Sequence, residues 1–166
     1  MGFPADILRQ AEETLAAARA RKLRLATAES CTGGLVAGAL TEIAGSSDVV
    51  ECGFVTYANA AKTRLLGVAP AWLNDPNVGA VSEVVARAMA EGALGAGRVD
   101  VAIGVTGIAG PGGGSPHKPV GLVHFACARS GRATIHQRCV FPGDRNGIRL
   151  AAVRVALDLL ARQIDS

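Results

Sequence analysis

The sequence predicts an α/β fold, a three-layer α/β/α sandwich built around a mixed sheet. Short apolar runs that are typical of buried strands alternate with segments of helical periodicity along the chain. Near the C-terminus two such runs follow each other across residues 129–132, which is typical of an antiparallel hairpin and makes the sheet mixed. Apolar residues make up 49% of the chain and aromatic residues 4%, so Ala, Val, Leu and Ile must fill the core. Such a core favours helices packed closely on a sheet.

Each predicted element follows from its periodicity and its flanking residues. Pro4 is suited to a first helical turn, Gly67 to a helix C-terminus and Ser82 to an N-cap. The predicted helices cover residues 4–21, 35–43, 60–66, 83–94 and 146–164, the fourth ending at the glycines of 95–97. The predicted strands cover residues 23–28, 49–57, 101–105, 120–128 and 133–141, with a turn-rich linker at 74–79. Polar and glycine-rich motifs follow the first three strands, and α/β proteins bind ligands at such strand ends.

Length and charge restrict the class of protein. The 166 residues are predicted to form a single domain, 1–166. The chain has 17 Lys+Arg and 14 Asp+Glu, and a formal charge of +3 spread along the sequence does not predict nucleic-acid binding. Residues 1–10 lack the apolar core of a signal peptide, and no run approaches the roughly 20 apolar residues of a membrane span. We therefore expect a soluble cytoplasmic protein that binds neither nucleic acid nor a membrane.

The cysteine pattern indicates a reducing compartment. The four cysteines stand at positions 31, 52, 127 and 139, three of them within apolar runs, and no C-x-x-C pair is present. This spacing predicts buried free thiols and neither a disulfide framework nor a zinc site.

Ser30 is the first candidate nucleophile, because it lies where a predicted strand gives way to a helix. Attack by a serine on an amide carbonyl needs a base for the hydroxyl proton and donors for the developing oxyanion. The strand-to-helix turn can supply backbone N–H groups, and Gly33 and Gly34 allow a ligand to approach them. The alternative is that Ser30 or Thr32 only caps the following helix.

Lys62 is the candidate base. The histidines at 117, 124 and 136 fall in a loop or in the predicted hairpin, where strand or surface roles are commoner. A lysine that is removed from water can lose its charge and act as a base near neutral pH. The alternative is an ordinary solvated helix lysine. Tyr57 either hydrogen-bonds Ser30 or Lys62 or simply packs at the strand end.

Cys31 is a rival nucleophile beside Ser30. With Glu29 and Lys62 it would complete a Glu-Lys-Cys amidase set. Neighbouring strand residues point to opposite faces, so we expect only one of Ser30 and Cys31 to face a given pocket. The sequence does not decide between them.

A glycine-rich segment, residues 106–115, follows the third strand and can wrap an anion with its backbone N–H groups. It is neither a Walker A loop nor a G-x-G-x-x-G motif, so nucleoside triphosphate and dinucleotide binding are not predicted. The alternative is a flexible connection. Arg145 and Arg149, at the start of the last helix, can reach a phosphate or remain exposed helix arginines.

Seven motifs in this order resemble the competence-damage-inducible (CinA) C-terminal domain family. They are TAESCTGG (27–34), AGSS (44–47), GFVTY (53–57), GAVS (79–82), GIAGP (107–111), KPVG (118–121) and GDR (143–145). The resemblance covers nearly the whole chain, from about residue 5 to residue 164. It implies hydrolysis of nicotinamide mononucleotide (NMN) to nicotinate mononucleotide and ammonia, a salvage step of the pyridine nucleotide cycle.

The resemblance also implies roles for individual residues. The family's nucleophile corresponds to Ser30, its lysine base to Lys62 and its assisting tyrosine to Tyr57. Ser47, Thr106 and Arg145 are added as pocket residues. The complete expected substrate-binding set is Cys31, Thr32, Gly33, Gly34, Ser47, Thr106, Gly107, Gly110, Gly112 and Arg145. No cofactor or metal is expected, the phosphate should bind in the glycine loop or against Arg145, and the protein is expected to form a homo-oligomer.

The competing hypothesis is a non-catalytic module that binds a nucleotide or a protein partner in a competence or DNA-damage response. It would keep the pocket without the reaction. Ammonia release from NMN separates the two hypotheses.

Overall fold

A mixed sheet forms the middle layer of the computed structural model, which describes residues 2–166. The predicted domain, 1–166, includes Met1, which lies outside the described residues. The strands are β1 (Leu25–Glu29), β2 (Val50–Val55), β3 (Val101–Gly107), β4 (Leu122–Arg129) and β5 (Ile135–Val140), in the order β2-β1-β3-β4-β5. β1 pairs in parallel with β2 and β3, whereas β4 is antiparallel to both β3 and β5. The predicted mixed sheet is confirmed.

Helices cover both faces of the sheet. They are α1 (Ala5–Ala20), α2 (Leu35–Thr41), α3 (Asn59–Leu66), α4 (Pro70–Asn74), α5 (Glu83–Gly97) and α6 (Arg145–Asp165). α2 and α6 pack on one face, with α1 packed on both of them, while α5 crosses the other face beside α3 and α4. α5 approaches the sheet closely because β3 carries a glycine there. A Cβ on Gly104 would lie 2.6 Å from the Ala86 carbonyl oxygen. The α/β/α sandwich is thus the observed architecture.

The predicted boundaries fail where local signals are weak. α5 continues through the glycines of 95–97 and ends at Arg98, which adopts a left-handed conformation (φ 51°). The glycines were expected to end it, but Gly97 instead packs closely on the sheet, its ideal Cβ position 3.1 Å from Cys52 Sγ. The short helix α4 and a 3-10 turn at Ser46–Asp48 were not predicted, because segments of five and three residues are too short to show periodicity.

The cysteine expectation is correct in part. All four cysteines are free thiols. Cys31 and Cys127 are buried, but Cys52 and Cys139 are only half-buried, because they lie on the two edge strands of the sheet. Within residues 2–166 no helix is both long and apolar enough to cross a membrane.

The parallel strands bring the predicted motifs to one edge of the sheet. β1, β2 and β3 all end at this edge. Backbone hydrogen bonds join the residue after β1 to β3 and the residue after β2 to β1. Ser30 N donates to the Val105 carbonyl (3.0 Å), and Thr56 N donates to the Glu29 carbonyl (2.8 Å). The peptide group between Glu29 and Ser30 is therefore held from both sides by the neighbouring strands.

The contact between α3 and α5 yields a stability prediction. A Cβ at Gly92 would lie 2.0 Å from the Leu66 carbonyl oxygen at the end of α3, so Gly92→Ala must push the two helices apart. We expect a loss of about 3 kcal/mol in the free energy of unfolding, as for an overpacked core. Gly95→Ala in the same helix is the matched control, because its Cβ meets nothing within 4 Å. That variant should gain roughly 0.5–1 kcal/mol from helix propensity. Urea unfolding of both variants checks the prediction, and equal stabilities would contradict it.

Candidate active site

A cavity of about 290 Å³ opens at the carboxyl edge of the parallel strands. Five of the seven motifs contribute residues to its lining, and the AGSS and KPVG motifs do not. Arg149, in the last helix, is also outside the lining. The lining residues are Ser30, Cys31, Tyr57, Asn59, Lys62, Ala80, Val81, Thr106, Gly107, Ile108, Ala109, Gly110, Gly112, Gly113 and Arg145. The sequence-predicted nucleophile, base and tyrosine are therefore brought to one cavity.

Lys62 is buried against Ser30. It lies in the first turns of α3, directly after β2, and is only 1% exposed. Its Nζ lies 3.0 Å from Ser30 Oγ and donates to the Thr56 carbonyl oxygen at 2.7 Å. No carboxylate among residues 2–166 forms an ion pair with this amine. The solvated-lysine alternative is therefore wrong for this chain.

Burial lowers the pKa of Lys62 from its ordinary value of 10.5, and the neighbouring Cys31 only partly opposes this effect. A neutral amine has two N–H groups and a lone pair. One N–H satisfies the Thr56 carbonyl, and the lone pair is free to accept the Ser30 hydroxyl proton. The pair therefore has the composition and geometry of a nucleophile with its general base.

Cys31 lines the same cavity, but its chemistry is different. Burial, with a smaller contribution from the Glu29 charge, raises the pKa of this thiol to about 11. The thiolate is the reactive form of cysteine, so a thiol with this pKa is a poor nucleophile near neutral pH. The expectation that only one of Ser30 and Cys31 faces the pocket is wrong. β1 ends at Glu29, so strand alternation does not extend to the two residues that follow it.

Glu29 caps α2, a role that the sequence did not suggest. Its carboxylate is fully buried and accepts three backbone hydrogen bonds, from Gly34 N (3.1 Å), Val36 N (3.0 Å) and Ala37 N (2.9 Å). These bonds satisfy donors that a helix N-terminus otherwise leaves unpaired. The cap therefore belongs to Glu29, which corrects the Ser30 or Thr32 alternative. It also removes Glu29 from the Glu-Lys-Cys set and removes the Gly34 N–H from an anion cradle.

Tyr57 and Arg145 form a bridge across the cavity. Tyr57 is 60% exposed, and its hydroxyl oxygen accepts from Arg145 Nη2 at 2.8 Å. Arg145 Nη1 donates to the Gly110 carbonyl oxygen, also at 2.8 Å. Tyr57 was expected either to hydrogen-bond Ser30 or Lys62 or to pack at the strand end, and the first of these, the hydrogen bond, is not formed. The guanidinium joins three elements and keeps further N–H groups free, because it has five in all.

The glycine-rich loop contributes backbone donors. Ile108 N donates to the Leu122 carbonyl, which continues the β3–β4 pairing. Beyond it, the N–H groups of Gly110, Gly112 and Gly113 find no acceptor among the described residues. Thr106 Oγ1 donates to the Ala80 carbonyl at 2.8 Å. The loop glycines with unpaired N–H groups and Arg145 all line the cavity. No aspartate or glutamate is among the described lining residues, so no carboxylate there competes for these donors.

Several expected binding residues lie outside the cavity lining. Thr32 is buried, and Gly33 and Gly34 form the turn before α2 without lining the cavity. Ser47 is the clearest correction. It lies in the 3-10 turn that precedes β2, where its carbonyl accepts from Arg24, whereas the cavity is at the other end of that strand.

The sequence also missed residues that do line the cavity. Asn59 begins α3, and Ala80 and Val81 belong to the segment before α5. The motifs GFVTY and GAVS lie next to them, so proximity to a motif was the available signal. No group of three or more His, Cys, Asp or Glu residues within the described part of the chain could hold a metal ion.

Comparison with known proteins identifies relatives over nearly the whole chain. The CinA C-terminal domain family matches residues 8–164. The Escherichia coli K12 protein named nicotinamide-nucleotide amidohydrolase PncC is 48% identical over 158 residues, which cover 95% of this chain and 94% of that protein. A CinA-like protein of Mycolicibacterium vanbaalenii is 52% identical over 140 residues, which cover 84% of this chain and 33% of that protein. This chain thus spans about a third of the length of the first such CinA-like relatives.

A solved structure is similar throughout. The competence/damage inducible protein CihA of Agrobacterium tumefaciens superimposes with a TM-score of 0.95 at 49% identity. The match covers 100% of this chain and 99% of the other.

Proposed function

Because this chain belongs to the CinA C-terminal domain family, as its motifs predicted, we propose that it is an amidohydrolase that converts NMN and water to nicotinate mononucleotide and ammonia. The E. coli relative that carries this name matches over almost its full length. The observation that carries the proposal is the 3.0 Å contact between Lys62 Nζ and Ser30 Oγ at the bottom of a cavity. Such a step would serve salvage in the pyridine nucleotide cycle.

In the proposed first half-reaction, Ser30 Oγ attacks the carboxamide carbon while neutral Lys62 takes the hydroxyl proton. A tetrahedral intermediate forms, with negative charge on the former carbonyl oxygen. The lysine ammonium then gives its proton to the amide nitrogen, the C–N bond breaks and ammonia leaves. Ser30 is left as a nicotinoyl ester and Lys62 is neutral again.

In the second half-reaction, water replaces ammonia. Lys62 takes a proton from the water as it attacks the ester, and returns that proton to Ser30 Oγ when the ester bond breaks. Nicotinate mononucleotide is released. The lysine acts as base and then acid in each half, so the reaction needs no histidine and no external proton carrier.

The phosphate of NMN is proposed to bind at the wall formed by the glycine-rich loop and Arg145. The N–H groups of Gly110, Gly112 and Gly113 are unpaired in the described chain, and Arg145 supplies the positive charge. Arg145 also ties Tyr57 to the loop, so we assign the tyrosine to closing the cavity over the substrate and not to proton transfer. Binding the remote phosphate would hold the carboxamide at Ser30.

Ammonia release from NMN is the primary test. Purified protein should release ammonia from NMN, with nicotinamide and NAD as comparison substrates. Ligand binding without any ammonia release would favour the non-catalytic module instead.

The identity of the nucleophile can be tested with adjacent substitutions. Ser30→Ala should lower kcat by at least about a hundredfold, because the acyl-enzyme cannot form. Cys31→Ala is the matched control, and it should retain activity since its thiol stays protonated. Thermal unfolding should be similar for both variants. The reverse order of activities would assign the reaction to Cys31.

The protonation state of Lys62 can be tested by a substitution that keeps the charge. Lys62→Arg should lose about 10²- to 10⁴-fold in kcat, nearly as much as Lys62→Ala, because a guanidinium stays protonated and cannot act as a base. Lys22→Arg, at an exposed site, is the control for the chemical exchange itself. Substantial activity in Lys62→Arg would mean that only positive charge is required.

Phosphate recognition can be tested with the substrate itself. A charge-assisted contact is worth roughly 1.5–3 kcal/mol, so nicotinamide riboside should have about tenfold to a hundredfold lower kcat/KM than NMN. Arg145→Ala should lower kcat/KM for NMN far more than for the riboside, because only NMN carries the phosphate that Arg145 is proposed to bind. Equal kcat/KM values for nucleotide and riboside with the unsubstituted protein would contradict the phosphate assignment.

A further inference from the structure

The turn that follows the nucleophile, residues 30–34, is held by an arginine outside the cavity lining. Arg149, one helical turn after Arg145 in α6, donates from Nε to the Cys31 carbonyl (3.1 Å) and from Nη2 to the Thr32 carbonyl (2.9 Å). Its guanidinium has no ion-pair partner among the described residues. The positive charge of Arg149 is thus directed at two backbone carbonyls of a single turn.

These two hydrogen bonds fix the direction of the neighbouring N–H groups. In a trans peptide the N–H points opposite to the carbonyl, so a Cys31 carbonyl directed at α6 turns the Thr32 N–H away from α6. The N–H groups of Cys31 and Thr32 find no acceptor among residues 2–166. These two N–H groups belong to the peptide groups before and after Cys31, whose side chain lines the cavity.

Other donors near Ser30 are already engaged. Gly34 N, at the start of α2, donates to Glu29, and Ser30 N donates to the Val105 carbonyl. Gly33 N donates to the Ser30 carbonyl. Within residues 30–34, this leaves the N–H groups of Cys31 and Thr32 without an acceptor, on the two peptide groups that flank the cavity-lining Cys31. The residue after the nucleophile commonly supplies such a donor at a strand-to-helix turn.

We propose that Arg149 is a positioning residue that holds the 30–34 turn so that the Cys31 and Thr32 N–H groups receive the oxyanion of the tetrahedral intermediate. This inference rests on the proposed amidohydrolase function. A charged donor on a carbonyl polarises the whole peptide group, so Arg149 also strengthens the Thr32 N–H as a donor. Arg149 therefore acts through the backbone and does not touch the substrate.

Gly33 makes this arrangement possible. It adopts φ +59°, and a Cβ there would lie 3.1 Å from Arg149 Nη2. Gly33→Ala should therefore strain the turn and displace the guanidinium, so it should weaken oxyanion binding through the same contact.

The kinetic test compares two arginines of α6. Arg149→Met should lower kcat for NMN by about 10- to 100-fold with KM changed less than about threefold, because the donors act in the transition state. Arg162→Met, an exposed arginine paired with Asp158 in the same helix, is the control and should retain kcat. Guanidinium ion added to Arg149→Ala should restore part of kcat, which a misfolded variant could not show. Retained kcat, or a rise in KM alone, would overturn the proposal.

A second measurement separates this inference from the proposed function. Pyridine-3-boronic acid forms a tetrahedral adduct with a serine nucleophile, and one boron-bound oxygen occupies the oxyanion position. Titration followed by ¹¹B NMR should show a Ser30-dependent adduct that Arg149→Met weakens by about tenfold or more and Arg162→Met does not. Absence of NMN turnover alone contradicts the proposed function. Equal adduct affinity in Arg149→Met and unsubstituted protein, or no Ser30-dependent adduct, contradicts the role of Arg149.

Discussion

The site depends on one costly arrangement, an amine buried without a carboxylate. Lys62 is 1% exposed, and its only described partners are the Thr56 carbonyl and the Ser30 hydroxyl. Removing a charged ammonium from water is strongly unfavourable, so the amine is driven toward its neutral form. A carboxylate neighbour would reverse this effect by stabilising the charge. The absence of such a neighbour in the described chain is what gives a lysine the chemistry of a base.

The fold holds the pair together through backbone contacts. Thr56, whose carbonyl binds Lys62, is itself joined to β1 by its N–H bond to the Glu29 carbonyl. Glu29 then caps α2 on the other side of the same strand end. α3, which carries Lys62, is seated on α5 at Gly92, where no side chain would fit. Each component of the site is therefore positioned by two elements of secondary structure. Burial of the amine lowers the free energy of unfolding, and the rest of the fold offsets this cost.

The sequence predicted the layers, the sheet composition and the motif positions, because apolar periodicity reports burial directly. It did not predict partners across space. Glu29 was a candidate member of a Glu-Lys-Cys set, but its carboxylate caps α2. Ser47 was expected in the pocket, but it lies before β2, at the end of that strand opposite to the cavity. Arg145 and Arg149 were equal candidates for a phosphate until the family resemblance singled out Arg145, and the structure places Arg145 in the cavity lining and Arg149 on the turn after Ser30. The expected homo-oligomer and cytoplasmic location stay predictions.

The most direct test of the account is the titration of the Lys62 amine itself. The chain has three lysines, at 22, 62 and 118, so lysine-labelled protein should give a small set of Nζ signals that Lys62→Arg assigns. NMR detection of these signals across pH should show Lys62 losing its proton below the ordinary value of 10.5, because burial disfavours its charged form. A Lys62 signal that titrates at or above the ordinary value of 10.5 would contradict the assignment of this lysine as the base.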